Sequence, residues 1–221
     1  LVRHCFIPLE FFEGDYIMCG RYKQIAALQA LADLFGIKMP RFVDAAGVAT
    51  PGTALPVIRG DSIEHLYWGY VPRWAKEGKP LVNCRSETIF EKPSFRDSVQ
   101  ARRCIILADG FFEWDRTQKP PQPFDIVPAR VTGFAGIWDT FNGRDGFAVL
   151  TTAAVPAVAS VHDRMPVILQ TVNDCRRWLA APDPALFRAD DSMEFMLTPT
   201  GQFQRPANSD LPEDNNQLSL F

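Results

Sequence analysis

Gly133-Phe134-Ala135-Gly136-Ile137-Trp138-Asp139-Thr140-Phe141, followed closely by Phe147-Ala148-Val149-Leu150-Thr151, is the stretch on which the fold turns. Both runs are dense in β-branched and aromatic residues and are separated by a short polar interval, so they read as consecutive antiparallel strands. Runs of the same character recur upstream at 55–59, 63–71, 104–108, 111–114 and 124–127, each bounded by turn signals. Helical patterns interrupt them. Between Lys23 and Phe35 the apolar residues Ile25, Leu28, Leu31, Leu34 and Phe35 recur at helical spacing, and Gly36 supplies a stop. Two shorter helices are expected at 94–101 and 172–181, the second with Thr171 as its N-cap and Pro182 beyond its end. The mixture predicts an α+β fold: one domain with a curved, mostly antiparallel, barrel-like sheet flanked by short helices.

The chain has 221 residues, 47% of them hydrophobic and 22% charged, which is ample for a sizeable core. Five cysteines (Cys5, Cys19, Cys84, Cys104, Cys175) are scattered without the close pairs of a zinc or thioredoxin-like site. That usage fits a reducing cytoplasm and predicts neither a metal nor a cofactor. No stretch reaches the roughly 18 apolar residues of a membrane span, and Glu10, Glu13 and Asp15 break the N-terminal apolar run. Secretion and membrane insertion are therefore not expected.

The formal net charge is -3, but residues 1–17 and 205–221 each carry -2, which leaves +1 over residues 18–204. A nucleic-acid partner would thus be met by a few placed arginines rather than by a global positive field. The first 17 residues differ in character from the rest of the chain, so a leader or upstream extension is expected there, with a start at Met18. Residues 18–204 form the expected catalytic domain, and 205–221 a polar tail with little to bury.

Four short stretches carry the chemistry: Met18-Cys19-Gly20-Arg21, Asn83-Cys84-Arg85-Ser86-Glu87-Thr88, Ala108-Asp109-Gly110-Phe111-Phe112-Glu113-Trp114 and His162-Asp163-Arg164-Met165-Pro166. Removal of Met18 would leave Cys19 with a free α-amine beside its thiol. Such an amine has a reference pKa of about 7.7–8.0, so part of it is a neutral nucleophile near pH 7. A 1,2-aminothiol condenses with an aldehyde to an imine and then closes a thiazolidine. In Phe111-Phe112-Glu113-Trp114, alternation sets Phe112 and Trp114 on one face and Phe111 and Glu113 on the other. A carboxyl group among aromatic rings is suited to proton transfer near neutrality.

His162 offers an imidazole for proton transfer, Asn83 an orienting amide, and Arg21, Arg85 and Arg164 forked guanidinium groups suited to phosphate. Trp68 and Trp74 flank a turn from which indoles could stack on bases. Each residue also has an ordinary reading: a buried cysteine, a strand carboxylate paired with arginine, a loop histidine bound to backbone, surface arginines, and core indoles.

In order and spacing these motifs resemble the SOS response-associated peptidase family, over residues 18 to about 200. Trp68-Gly69 with Pro72 and Trp74, and Lys92-Pro93-Ser94-Phe95, add to the resemblance. It implies a sensor and processor of abasic sites in single-stranded DNA, with Cys19 crosslinking to the open-chain sugar aldehyde, Asn83 orienting that cysteine, Glu113 as acid/base and His162 assisting in proton transfer. Arg21, Arg85 and Arg164 would face the DNA backbone, and Trp68 the lesion. Lyase and autopeptidase activities come with the same resemblance. The chain departs from the family at Ala45-Ala46-Gly47-Val48-Ala49-Thr50-Pro51, which lacks an expected arginine and asparagine.

The last five residues, Gln217-Leu218-Ser219-Leu220-Phe221, look like the peptide by which bacterial repair proteins dock on the replication sliding clamp, Leu and Phe filling an apolar pocket. Such a partner would hold the protein at the nucleoid. Two competing functions stay open from sequence: a thiol peptidase using Cys19 and His162, and a non-catalytic reader of modified DNA bases.

Overall fold

The computed structural model describes residues 20–24, 32–33, 35–37, 47–188 and 191–201. Residues 1–17, Met18, Cys19, most of the expected 23–35 helix and the terminal peptide Gln217–Phe221 lie outside the described residues. In chain order the strands are β1 (Tyr22–Lys23), β2 (Val48–Ala49), β3 (Ala54–Arg59), β4 (Ser62–Trp68), β5 (Asn83–Arg85), β6 (Arg103–Ile106), β7 (Gly110–Asp115), β8 (Gln122–Pro128), β9 (Gly133–Phe141), β10 (Arg144–Ala153), β11 (Arg164–Pro166), β12 (Ile168–Leu169) and β13 (Phe195–Pro199). Short α-helices accompany them, among the described residues α1 (Arg96–Ala101), α2 (Pro156–Ala159) and α3 (Val172–Ala180).

The strands form two sheets. The smaller has the order β13-β8-β7-β1-β2. In the larger, β10-β4-β3-β6-β9 closes into a ring because β9 also pairs with β10, while β5, β11 and β12 extend its edges. Closure removes the exposed edges that an open sheet would present. The pairings are antiparallel except where β10 runs parallel to β4 and β5. The fold is thus the barrel-like, mostly antiparallel sheet that the sequence implies.

The β9–β10 hairpin turns through Asn142 (φ 49°) and Gly143 (φ 76°), with Phe141 opposite Arg144. Positive φ at both turn residues matches the twist of the flanking strands, and Asn-Gly adopts it at least cost.

Alternate strand residues divide between two buried layers. Val57, Cys104, Ile106, Phe134, Phe147 and Val149 pack with Tyr22, Phe111 and Ile126 of the smaller sheet. Their neighbours Ile58, Ile105, Ile137, Ala148 and Leu150 pack with Phe95 and Val99 at α1 and with Cys175 and Trp178 of α3. Arg103 ties the helices down: its guanidinium donates to Val99 O (2.8 Å), Trp178 O (2.7 Å) and Leu179 O (3.0 Å), satisfying terminal carbonyls of both.

The structure corrects two boundaries and agrees with a third. Lys23 belongs to β1 rather than to a helix, because Tyr22 and Lys23 are hydrogen-bonded between β2 and β7; strand pairing overrides local helical spacing here. Ala32, Asp33 and Phe35 are helical and Gly36 follows with φ 69°, so the expected stop is real. The strand expected over 63–71 ends at Trp68, beyond which only Tyr70 pairs, in a bridge to Leu81.

At α3 the expected cap is present as a capping box: Thr171 Oγ1 accepts from Asp174 N (3.1 Å) and the Asp174 carboxylate accepts from Thr171 N (3.0 Å). Thr171→Ala removes the acceptor for Asp174 N–H and is expected to cost about 1 kcal/mol. A urea midpoint displaced to lower concentration at unchanged slope would register that loss.

Candidate functional site

The site is built where β1, β5, β7 and the turn after α2 converge on the layer between the two sheets. On β7, Glu113 lies two residues from Phe111, so the two side chains share a face. Phe111 is fully buried among Tyr22, Trp68 and Phe134, and Glu113 itself is 1% exposed. A carboxyl group is costly to bury, so its depth makes Glu113 a candidate for proton transfer.

β1 runs antiparallel beside it. Tyr22 lies opposite Phe111, and Phe112 N donates to Arg21 O at 3.0 Å. Continuing that register by one residue sets Gly20 opposite Glu113. The chain leading out of Cys19 therefore passes alongside the buried carboxyl group. Gly110 permits the tight β7–β8 approach, since a Cβ there would lie 2.8 Å from Ile126 O.

Asn83 enters from the other sheet. β5 pairs in parallel with β10, Asn83 with Val149 and Arg85 with Thr151. Residues directly paired across a sheet share a face, so Asn83 points with Val149 into the layer that holds Phe111. The strand is fixed by Trp68, whose Nε1 donates to Val82 O at 2.9 Å, and whose ring lies 5.0 Å from that of Tyr22. One indole thereby links β1, the neighbour of the strand bearing Glu113, with the segment that carries Asn83.

Trp68 is 0% exposed. It has no face to offer a base, which corrects the expectation that it stacks on DNA; its apolar area and single N–H donor suit the interior instead. Trp74, by contrast, is 59% exposed. The adjacent Arg73 is bound to the buried Asp139 carboxylate through its side chain (2.7 Å) and backbone N–H (3.0 Å), so the turn presenting Trp74 is anchored.

His162 follows α2, whose Val158 packs into the same layer as Phe111. Its backbone N donates to Val158 O (3.1 Å), and its Nδ1 accepts from Arg164 N (3.1 Å). Asp163 Oδ1 also lies 3.1 Å from Nδ1, but that carboxylate is 88% exposed and free to turn into water. A neutral imidazole that accepts the Arg164 N–H at Nδ1 carries its own proton on Nε2. Arg164 sits on β11 with both terminal nitrogens on Glu87: one to Oε1, the other to Oε2 at 2.8 Å, the latter also reaching Thr151 O at 2.9 Å. The Arg164 guanidinium holds the Glu87 carboxyl below its ordinary range.

Arg85 is exposed and makes no ion pair among the described residues. Arg21 lies on the opposite face of β7, its guanidinium carbon 5.9 Å from the Trp114 ring centroid. Three thiols are buried, and desolvation pushes Cys84 and Cys104 well up and Cys175 up to about 12. They are held as inert thiols. Among the described residues no group of three or more His, Cys, Asp or Glu is arranged to hold a metal ion. None of the described helices is long and apolar enough to cross a membrane.

The SOS response associated peptidase (SRAP) family matches residues 18–203 of the chain. The chain belongs to this family. "Abasic site processing protein YoqW" of Bacillus subtilis (strain 168) is 33% identical over 180 residues, covering 73% of this chain and 80% of that protein. "Abasic site processing protein HMCES" of Mus musculus is 32% identical over 154 residues, covering 52% of this chain and 44% of that one. Two solved structures share the fold: a Bacteroides thetaiotaomicron protein (TM-score 0.68, 23% identity, 81% of this chain and 91% of that one) and a Bordetella bronchiseptica protein (0.67, 23%, 83% and 100%).

Within this SRAP chain Glu87, inside the Asn83–Thr88 stretch, carries no local signal of its role. Its partner stands 77 residues away, so only the pairing of β5 and β11 to β10 brings the two together. Tyr22 was equally silent. Its place beside Trp68 emerges once β1 is seen to be a strand.

Proposed function

We propose that this SRAP chain captures abasic sites in single-stranded DNA through the α-amine and thiol of Cys19, after everything N-terminal to that residue has been removed. The observation that carries the reading is the β1–β7 register, which runs Gly20 and Arg21 beside Phe112 and the buried Glu113. The names of the relatives, abasic site processing proteins, support it. The inert state of the three buried thiols leaves them no part in the chemistry.

The ring-opened sugar presents an aldehyde at C1′. The amine adds to it to give a carbinolamine, which loses water to an imine; the thiol then adds across the C=N bond and closes a thiazolidine, with one water released overall. Glu113 supplies the proton that turns the carbinolamine hydroxyl into departing water and recovers it from the amine. Asn83 orients the sugar, and the Nε2 face of His162 assists ring opening. Arg21, Arg85 and Arg164 meet the backbone phosphates, and Trp74 offers an exposed ring to a flanking base. An unstacked strand is the natural substrate, because its sugar is reachable without breaking base pairs. On the same reading the protein works on DNA in the cytoplasm, with Gln217–Phe221 docking on the sliding clamp.

Protein beginning at Cys19, incubated with a single-stranded oligonucleotide bearing one abasic site, is expected to form a complex that survives denaturation. Protein whose Cys19 amine is in peptide linkage is expected to form none. Equal yields from the two would rule out amine capture. Proteolysis without a covalent complex would favour the peptidase reading, and cleaved DNA without one would favour a lyase that stops at the imine.

A further inference from the structure

Glu87 occupies the guanidinium that the proposed function sets against DNA phosphate. Both terminal nitrogens of Arg164 engage both Glu87 oxygens. A carboxylate presents the same two-oxygen edge as a phosphate to such a fork. The two ends of the pair differ in freedom. The Arg164 side chain is 12% exposed and also tied to Thr151 O and, through its backbone, to the His162 ring, whereas the Glu87 side chain is 48% exposed. The arginine is fixed and the carboxylate is the member that can leave. It has somewhere to go: Glu87 lines an open pocket of about 480 Å³ shared with Ser86, Thr152, Arg188 and Asp191, where Arg188 offers a second cation. Arg85, at the end of β5 two residues before Glu87, is exposed and makes no ion pair among the described residues, so it can meet a strand directly.

We infer that Glu87 is a built-in phosphate mimic that keeps Arg164 out of contact with ordinary single-stranded DNA, so that the arginine is surrendered only to a strand held firmly enough to displace the carboxylate. The inference rests on the DNA reading above and deepens it: Glu87 is a positioning residue that lowers affinity for undamaged strands and thereby sharpens selection for those that can be captured.

The test is binding of an undamaged single-stranded oligonucleotide across a salt series, followed by fluorescence anisotropy. Glu87→Gln, which keeps size and removes charge, is expected to bind about fivefold tighter than the parent at low salt. The slope of log K against log salt should steepen by about 0.7, the increment for one added phosphate contact on a single strand. Glu87→Asp, which keeps the charge, is expected to behave as the parent. In an Arg164→Gln background the gain from Glu87→Gln should vanish. Unchanged or weaker binding by Glu87→Gln would overturn the inference, as would an undiminished gain without Arg164, which would mean a general charge effect. A parent protein with no affinity for undamaged or abasic strands would remove the DNA reading and this inference together.

Discussion

Glu113→Gln is expected to slow covalent capture of an abasic strand by about 10²–10⁴-fold, the range for loss of a positioned acid/base group. The amide is nearly isosteric and accepts and donates hydrogen bonds, so substrate binding should persist. It cannot transfer a proton at the carbinolamine, where hydroxide is otherwise a poor leaving group. Single-turnover formation of the denaturation-resistant complex, measured beside equilibrium binding of the same oligonucleotide, separates the two. A rate within threefold of the parent would show that Glu113, despite being 1% exposed in the aromatic layer, takes no part in proton transfer. Circular dichroism should match the parent, since the strand pairing of β7 runs through its backbone.

Trp68→Ala is expected to destabilise the fold by about 3–5 kcal/mol, the cost of emptying a large aromatic site in a packed core. Two effects combine. The indole is fully buried against Tyr22 and Phe147, with ring centroids 5.0 and 6.1 Å away, and its Nε1–H donates to Val82 O. Trp68→Phe separates them: it keeps most of the apolar area and removes only the indole hydrogen bond, Val82 O still accepting from Val149 N at 2.9 Å, for about 0.5–1.5 kcal/mol. Urea unfolding reads both values, and a cost below about 1 kcal/mol for Trp68→Ala would mean that the indole does not join the two strands of the site. Capture should fall even where the variant remains folded, because Val82 immediately precedes Asn83.

Long strands and capped helices were legible because their signal is local. The runs at 133–141 and 147–151 are β-rich and meet around an Asn-Gly turn, and Thr171 with Asp174 makes a capping box within four residues. β1, β5 and β11 are two or three residues long, too short for alternation to register. They are strands because longer partners hold them, and they carry or flank Arg21, Asn83, Arg85 and Arg164. The residue types of the candidate site stood out in the four motifs; their arrangement did not.

Sequence by itself determined the class of fold, the family and the set of candidate groups, since composition, periodicity and motif order are properties of the chain read in line. Tertiary structure alone decided that Trp68 is a buried brace while Trp74 faces solvent, that Glu113 lies beside the backbone leading from Cys19, and that Arg164 is held by Glu87. Burial and pairing between residues tens of positions apart depend on strand register, which sets what each side chain faces and which no local pattern encodes.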